Sequence, residues 1–466
     1  MKMPRILIAA PASGSGKTAI SCGLMSVFRE RGMDVRACKC GPDYIDPMFH
    51  REVLGVASRN LDLFFSDKEE LTKGFIRHVS GADLTVTEGV MGYYDGRGMD
   101  TDAGSSYDVA RTLQIPVILV VPCRGAALSL AALVRGMAGF RADSNIRGIL
   151  LNRVSEMVYP RLKDMLEQEL KKSGHEIPVV GYIPENETFH LESRHLGLVT
   201  PQEMKDLKEQ AERAGRILAR SVDLDQILSI ARTAPALGPG EERAVTRGKD
   251  RTADEKRVRV GIARDQAFCF YYEENLKLLE EAGCELAPFS PLRDKELPRD
   301  ISGLILGGGY PELYSERLSG NSGLLDEIKS ALDAGMPCLA ECGGFMYLHE
   351  ELQDRNGNVY PMAGVIRGKT YPTGKLVRFG YVNITSDKPA GWLLPGETIK
   401  GHEFHYWDST DAGNDCTAAK PDGKRKWRCI HMSGNLFAGY PHLYLPSMPE
   451  FASRFIGRCK EWTPDK

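Results

Sequence analysis

The chain opens on a short apolar run, Ile6-Leu-Ile-Ala-Ala10, that gives way at once to Pro, Ser and Gly. Short runs rich in β-branched residues then recur, and the pattern predicts strands over Arg5–Ala9, Val35–Lys39, Leu84–Thr87, Val117–Val121, Ile146–Leu151 and Val179–Tyr182. Helical segments fit between them, over Thr18–Arg31, Tyr107–Leu113 and Val158–Ser173. Strand–helix alternation at this spacing predicts a parallel, doubly wound α/β sheet.

From Thr233 to Glu255 the pattern lapses into Pro, Gly and charged residues with no apolar periodicity, as in an exposed linker. Alternation then restarts, with strands expected over Val258–Ala263, Leu304–Leu306 and Pro337–Ala340 and a helix over Tyr272–Ala282. Two doubly wound α/β domains are therefore expected, residues 1–232 and 257–466, joined by a linker over 233–256.

Composition narrows the class. In 466 residues, 60 Lys plus Arg stand against 63 Asp plus Glu, a net charge of −3. That balance excludes the broad basic field that holds nucleic acid or anionic lipid. The apolar run Ile115–Pro122 is far too short to span a membrane, and the N-terminal run lacks the length of a secretory signal, so a cytoplasmic protein is expected. The 11 cysteines show no Cys-x-x-Cys spacing, which argues against structural zinc and for reduced thiols, one of them reactive. The 48 glycines have no collagen-like period and are expected in functional loops.

The first such loop is Ala10-Pro-Ala-Ser-Gly-Ser-Gly-Lys-Thr18. Pro11 stands where the phosphate-loop pattern has its first glycine, but Gly14, Ser15, Gly16, Lys17 and Thr18 fit it. Backbone N–H groups would surround phosphate, Lys17 would meet the β and γ phosphates of ATP, and Thr18 would hold Mg2+. A Gly/Ser turn that happens to contain Gly-Lys-Thr is the alternative. Phosphoryl transfer also needs acids. Lys39-Cys-Gly-Pro-Asp-Tyr-Ile-Asp-Pro47 and Thr87-Glu-Gly-Val-Met-Gly-Tyr-Tyr-Asp-Gly96 follow expected strands. Ligands of doubly wound sheets bind at such strand ends, so Asp43, Glu88 and Asp95 would converge on Lys17 and Thr18. Taken singly, each acid also reads as a solvated turn residue.

The second constellation is a strand, Met336-Pro-Cys-Leu-Ala340, a turn, Glu341-Cys342-Gly343-Gly344, and a helix opening at Phe345. A cysteine on a sharp strand-to-helix turn is exposed and faces a helix N-terminus, as a nucleophile requires. The N–H groups of Leu306-Gly-Gly-Gly-Tyr-Pro-Glu312, with Gly308 and Gly309 at their centre, would join Gly343 in holding an oxyanion. The best-placed base is His442, with His402, His405 and His431 as competitors; a buried structural thiol is the alternative for Cys342.

Together these motifs carry a resemblance over nearly the whole chain. The N-terminal half resembles dethiobiotin-synthetase-like P-loop NTPases and the C-terminal half the class I glutamine amidotransferases; in this order they resemble the cobyrinate a,c-diamide synthases of cobalamin biosynthesis. The marks are Ala10–Thr18, Gly41–Pro47, Glu88–Gly96, Arg194-His-Leu-Gly-Leu198, Gly307–Glu312 and Glu341–Gly344. The resemblance implies ATP and Mg2+ at Lys17 and Thr18, Glu88 as a magnesium ligand with Asp43 nearby, and Asp43, Tyr44 and Ile45 beside the corrinoid carboxylate. It also implies Asp95 at the acyl phosphate or its attacking ammonia, Asn152 at the adenine, Cys342 as glutaminase nucleophile and His442 as its partner. Many class I amidotransferases carry an acid two residues after this histidine; Tyr444 stands there, so the third member of a triad is open.

The reaction implied is amidation of the a and c carboxylates of cobyrinate, one ATP and one glutamine per amide. Nickel-sirohydrochlorin is the alternative tetrapyrrole, and cobyric acid synthase a weaker relative. A partitioning-type ATPase gives no use for Cys342 and lacks support at Ala12, where those ATPases carry a second lysine. The partners expected are small molecules; a homodimer is allowed, with the oligomeric state left open.

Overall fold

The computed structural model describes residues 3–189, 201–238, 257–389 and 391–463. The chain divides into two compact units, Met1–Arg243 and Ala244–Lys466.

The first unit is built on seven strands: β1 (Arg5–Ala9), β2 (Val35–Cys40), β3 (Ser58–Leu61), β4 (Leu84–Glu88), β5 (Val117–Pro122), β6 (Ile146–Asn152) and β7 (Val179–Ile183). They lie in the order β3-β2-β4-β1-β5-β6-β7, every neighbouring pair parallel. Side chains alternate between two cores. Leu7, Ala9, Val117, Leu119 and Val121 join one, and Ile6, Ile8, Ile118 and Val120 join the other. Burial on both faces is why these strands read as unbroken apolar runs. The edge strand β3, Ser-Arg-Asn-Leu, carries no such signal and was not expected.

Helix α1 (Lys17–Glu30) leaves the loop after β1. The order puts β1 between β4 and β5, where connections part to opposite sides of the sheet. A crevice forms at such a switch point, outside the carboxyl ends of the strands. Residues 233–238 are not an exposed linker throughout: Ala234 and Leu237 are buried, and Pro235 O accepts from the buried Arg5 guanidinium. The remainder of the expected linker, 239–256, and the Arg194–Leu198 motif lie outside the described residues.

The second unit centres on six strands in the order Cys284–Phe289, Val258–Ala263, Leu304–Leu306, Cys338–Glu341, Leu436–Gly439, His431–Met432. All neighbours are parallel except the last pair. An antiparallel pair, Phe268–Phe270 with Gly308–Gly309, and two larger sheets, the first mixed and the second antiparallel, complete the unit. The first pairs Val359–Pro361, His349–Gln353, Ile366–Pro372 and Trp407–Ser409; the second pairs Lys426–Cys429, Cys416–Ala419, Arg378–Ser386, Thr398–His405 and His442–Leu443. Val382, Ile384 and Ile399 of the latter share one core with Val260, Ile262 and Phe451. Among the described residues no helix is long and apolar enough to cross a membrane.

Candidate active sites

In the first unit, Gly14 and Gly16 adopt φ of 73° and 86°, a region that side chains disfavour, and so wrap the loop over the start of α1. Asn152 Nδ2, at the end of β6, donates to Ser15 O across 2.9 Å and braces the loop from below. Lys17 is buried, and its Nζ donates to Met91 O at 2.6 Å and Ala12 O at 3.2 Å. Burial lowers its pKa, and Lys39 adds to the effect.

Under the loop lies a cluster that sequence reading saw only in part. Thr18 Oγ1 donates to Glu88 Oε1 across 2.6 Å, and Lys39 Nζ donates to the same oxygen across 2.8 Å. Lys39 also pairs with Asp46, and the His50 ring lies 3.7 Å from Glu88 Oε2. The two carboxyls share one ammonium. Burial would raise both, but Lys39 and His50 hold Glu88 well below the usual range, while burial and the Glu88 charge push Asp46 up. Burial alone would lower Lys39, yet Asp46 and Glu88 keep it charged. His50 is pushed down by burial. Lys39, Asp46 and His50 were missed. The available signal was a lysine inside the buried run Val35–Cys40, where an unpaired charge would be costly.

Of the other expected residues, Asp43 Oδ1 accepts from Ile45 N–H, and its charge reaches Lys39. Asn60 Nδ2 ties down Gly41 O and Asp43 O, both at 2.8 Å, and Tyr44 is buried. Asp95 Oδ2 accepts from Gly92 N–H, closing the turn after β4, and its charge reaches Lys17. Among the described residues no group of three His, Cys, Asp or Glu could hold a metal by itself. Magnesium needs fewer, taking one or two protein oxygens with substrate phosphates and water, and the Thr18 hydroxyl and ionised Glu88 are the hard donors that suit it.

In the second unit, Cys342 sits at φ 47°, ψ −101°, between the strand Cys338–Glu341 and the short helix Gly343–Tyr347. A non-glycine residue in this region is strained, as on a nucleophile elbow. The elbow is pinned on both sides: Cys342 N–H donates to Gly439 O at 2.8 Å, and Gly344 N–H to Gly307 O at 2.9 Å. Gly343 abuts the glycine turn, since a β-carbon on it would fall 3.0 Å from Gly309 N.

The structure brings His442 to Cys342, with a side-chain hydrogen bond between them. Burial would lower this histidine, but Cys342 and Glu341 raise it to about 10. Its three competitors lie elsewhere in the network. His402 pairs with His442 across neighbouring strands, His405 bonds Trp407 O, and His431 bonds Asp411 O. Tyr444 sets its ring edge against Tyr272. The acid near the His442 ring is the one before the nucleophile, Glu341, with Oε2 3.8 Å from Nδ1. None of the 11 cysteines forms a disulfide.

Comparison with known proteins matches each part of the chain to a domain family. Residues 6–199 match the CobQ/CobB/MinD/ParA nucleotide binding domain, and residues 259–449 the CobB/CobQ-like glutamine amidotransferase domain. A cobyrinate a,c-diamide synthase of Caldanaerobacter subterraneus subsp. tengcongensis is 40% identical over 462 residues, 98% of each chain. One from Listeria innocua is 38% identical over 464 residues, 98% of this chain and 100% of that one. One from Picrophilus torridus is 38% identical over 461 residues, 98% of this chain and 99% of its own. The chain belongs to the cobyrinate a,c-diamide synthase family.

Proposed function

We propose that the chain amidates the a and c side-chain carboxylates of cobyrinate in cobalamin biosynthesis, with ATP as activator and glutamine as nitrogen source. The observation that carries this reading is the presence on one chain of a phosphate loop over a buried Thr18–Glu88–Lys39 cluster and of a Cys342–His442 pair on a strained elbow.

A carboxylate does not react with ammonia at neutral pH, so an oxygen must first become a leaving group. In the first unit, Gly14, Ser15 and Gly16 enclose the nucleotide phosphates, and Asn152 keeps the loop in place below the adenine side. Lys17 neutralises the transferring phosphoryl group. Bound magnesium supplies further charge neutralisation there; Thr18 and Glu88 would hold it, with Asp43 beside them. Lys39 and His50 keep Glu88 ionised for that task. Asp43, Tyr44 and Ile45 orient the substrate carboxylate, whose oxygen takes the γ phosphoryl group as ADP leaves. Asp95 orients the acyl phosphate for ammonia, which forms the amide as phosphate departs.

In the second unit, Cys342 Sγ bonds to the glutamine amide carbon while N–H groups of Gly308, Gly309 and Gly343 hold the oxyanion. His442 gives its proton to the departing nitrogen, and ammonia leaves. Water then cleaves the thioester, releasing glutamate and the thiol. ATP and glutamine are cytoplasmic supplies, and we place the enzyme there.

Mass spectrometry of cobyrinate after incubation with ATP, magnesium and glutamine tests the reading. Two successive amidations are expected with cobyrinate. Amidation of nickel-sirohydrochlorin alone in a parallel reaction would transfer the reading to that substrate.

A further inference from the structure

We propose that Glu341, the residue immediately before the nucleophile, is the positioning acid of the glutaminase, acting on His442 in place of an acid two residues further along the chain. The inference rests on the glutaminase reading given above and deepens it.

One carboxylate faces the His442 ring with one oxygen and holds the next residue's backbone with the other. Glu341 ends the strand Cys338–Glu341 and is almost fully buried. Its Oε1 accepts from the N–H of Leu443, directly after the histidine, at 3.1 Å. Its Oε2 lies 3.8 Å from His442 Nδ1. With Nδ1 on the Glu341 side, Nε2 is the nitrogen left to face Cys342. That orientation suits a nucleophile–base pair, and catalytic hydrogen bonds of this kind tighten when substrate binds. The position two residues after His442 cannot do this, because Tyr444 is a phenol packed edge-on to Tyr272 with ring centroids 5.7 Å apart.

The surrounding groups leave Glu341 and Cys342 as the charges that matter. His402, on the paired strand, is pushed down to about 3 by burial and by the His442 charge, so it is neutral. Tyr271, whose hydroxyl accepts from Gly307 N–H at 2.9 Å and senses the Glu341 charge, is raised by burial. Tyr440 is raised by burial, with Cys342 contributing, and so stays protonated. A carboxylate facing Nδ1 stabilises the imidazolium that must hand its proton to the leaving ammonia. Placing it next to the nucleophile in sequence means that the turn that exposes Cys342 also sets the acid.

The test uses the full-length chain with Glu341→Gln, which keeps a Leu443 acceptor but removes the charge, and Glu341→Asp, which keeps the charge. Glutamine hydrolysis is followed against pH, with kcat and KM separated, beside ammonia-driven amidation. Expected for Glu341→Gln is a kcat lower by about 10- to 1,000-fold with KM nearly unchanged. The alkaline limb of the profile should move down by about one pH unit or more. Glu341→Asp should recover part of both effects, and ammonia-driven amidation should stay at the level of the unaltered chain. An unchanged alkaline limb in Glu341→Gln overturns the role. So does equal loss in the Gln and Asp variants of both glutamine- and ammonia-driven activity, which marks a purely structural residue. Absence of glutamine hydrolysis from the unaltered chain overturns the glutaminase reading itself, and is read separately.

Discussion

Gly308 and His442 are so close that a β-carbon on the glycine would lie 2.2 Å from His442 Cε1. No side chain tolerates that approach, so the glycine turn and the base occupy one tightly fitted space. Gly308→Ala should displace the imidazole from Cys342. The expected outcome is a fall of about 100-fold or more in glutamine-dependent amidation, as for other losses of nucleophile–base geometry, with ammonia-dependent amidation retained. Parallel assays with the two nitrogen sources check it.

Cys342→Ala removes the nucleophile without touching the phosphate loop. Glutamine hydrolysis should drop by about a thousandfold or more, while ATP-dependent amidation with added ammonia continues. Measuring glutamate release and ADP formation side by side decides this. Loss of both would contradict the division of labour between the units.

The raised pKa of His442 sets the direction of the pH response. Its ordinary value is about 6.5. Burial alone would lower it, but Cys342 and Glu341 outweigh burial and raise it to about 10. The imidazolium is therefore present through neutral pH and lost as pH rises through about 10. Glutaminase kcat/KM should hold across neutral pH and fall on that alkaline side.

His349 works in the opposite sense. Buried, with Nδ1 at 2.9 Å from Phe345 O and Nε2 at 2.7 Å from Ser409 Oγ, it is pushed down to about 4 by burial. The unfolded chain then binds a proton that the folded chain refuses. Its share of stability is intact above pH 6.5 and is lost as pH falls toward 4, about 3 kcal/mol over that window. Denaturant melts between pH 4 and 7 should show this slope, and His349→Gln should flatten it.

Lys39 is expected to matter for stability as well as chemistry. Lys39→Ala leaves Glu88 and Asp46 buried without their shared cation, a change worth about 3 kcal/mol or more. For a unit of this size the melting midpoint should fall by on the order of 10 °C. Differential scanning calorimetry checks it.

What could be read in advance follows from where each signal resides. Strand β1 announces itself because all five of its residues are buried, and the loop after it because glycines and Lys-Thr occur together. The edge strand β3, Ser-Arg-Asn-Leu, has no apolar run to show although three of its four residues are buried. The smaller sheets of the second unit are built from mixed sequences such as Arg378–Ser386, whose less buried face dilutes the pattern. Lys39 sits in an expected strand, but its partner emerges only when β2 and β4 are paired and Lys39 falls opposite Glu88 in register. Glu341 was visible beside the nucleophile, but its task depends on a histidine 101 positions later that only the folded sheet delivers.

Lys17 has three N–H donors, and two of them go to the carbonyls of Ala12 and Met91. A phosphate that recruits the ammonium competes with those carbonyls for it. Met91 belongs to the turn that carries Asp95, and its backbone holds a φ of 48°. One side chain therefore ties the phosphate loop at Ala12 to the turn after β4 at Met91, so a substitution at Lys17 would loosen that turn as well as the loop.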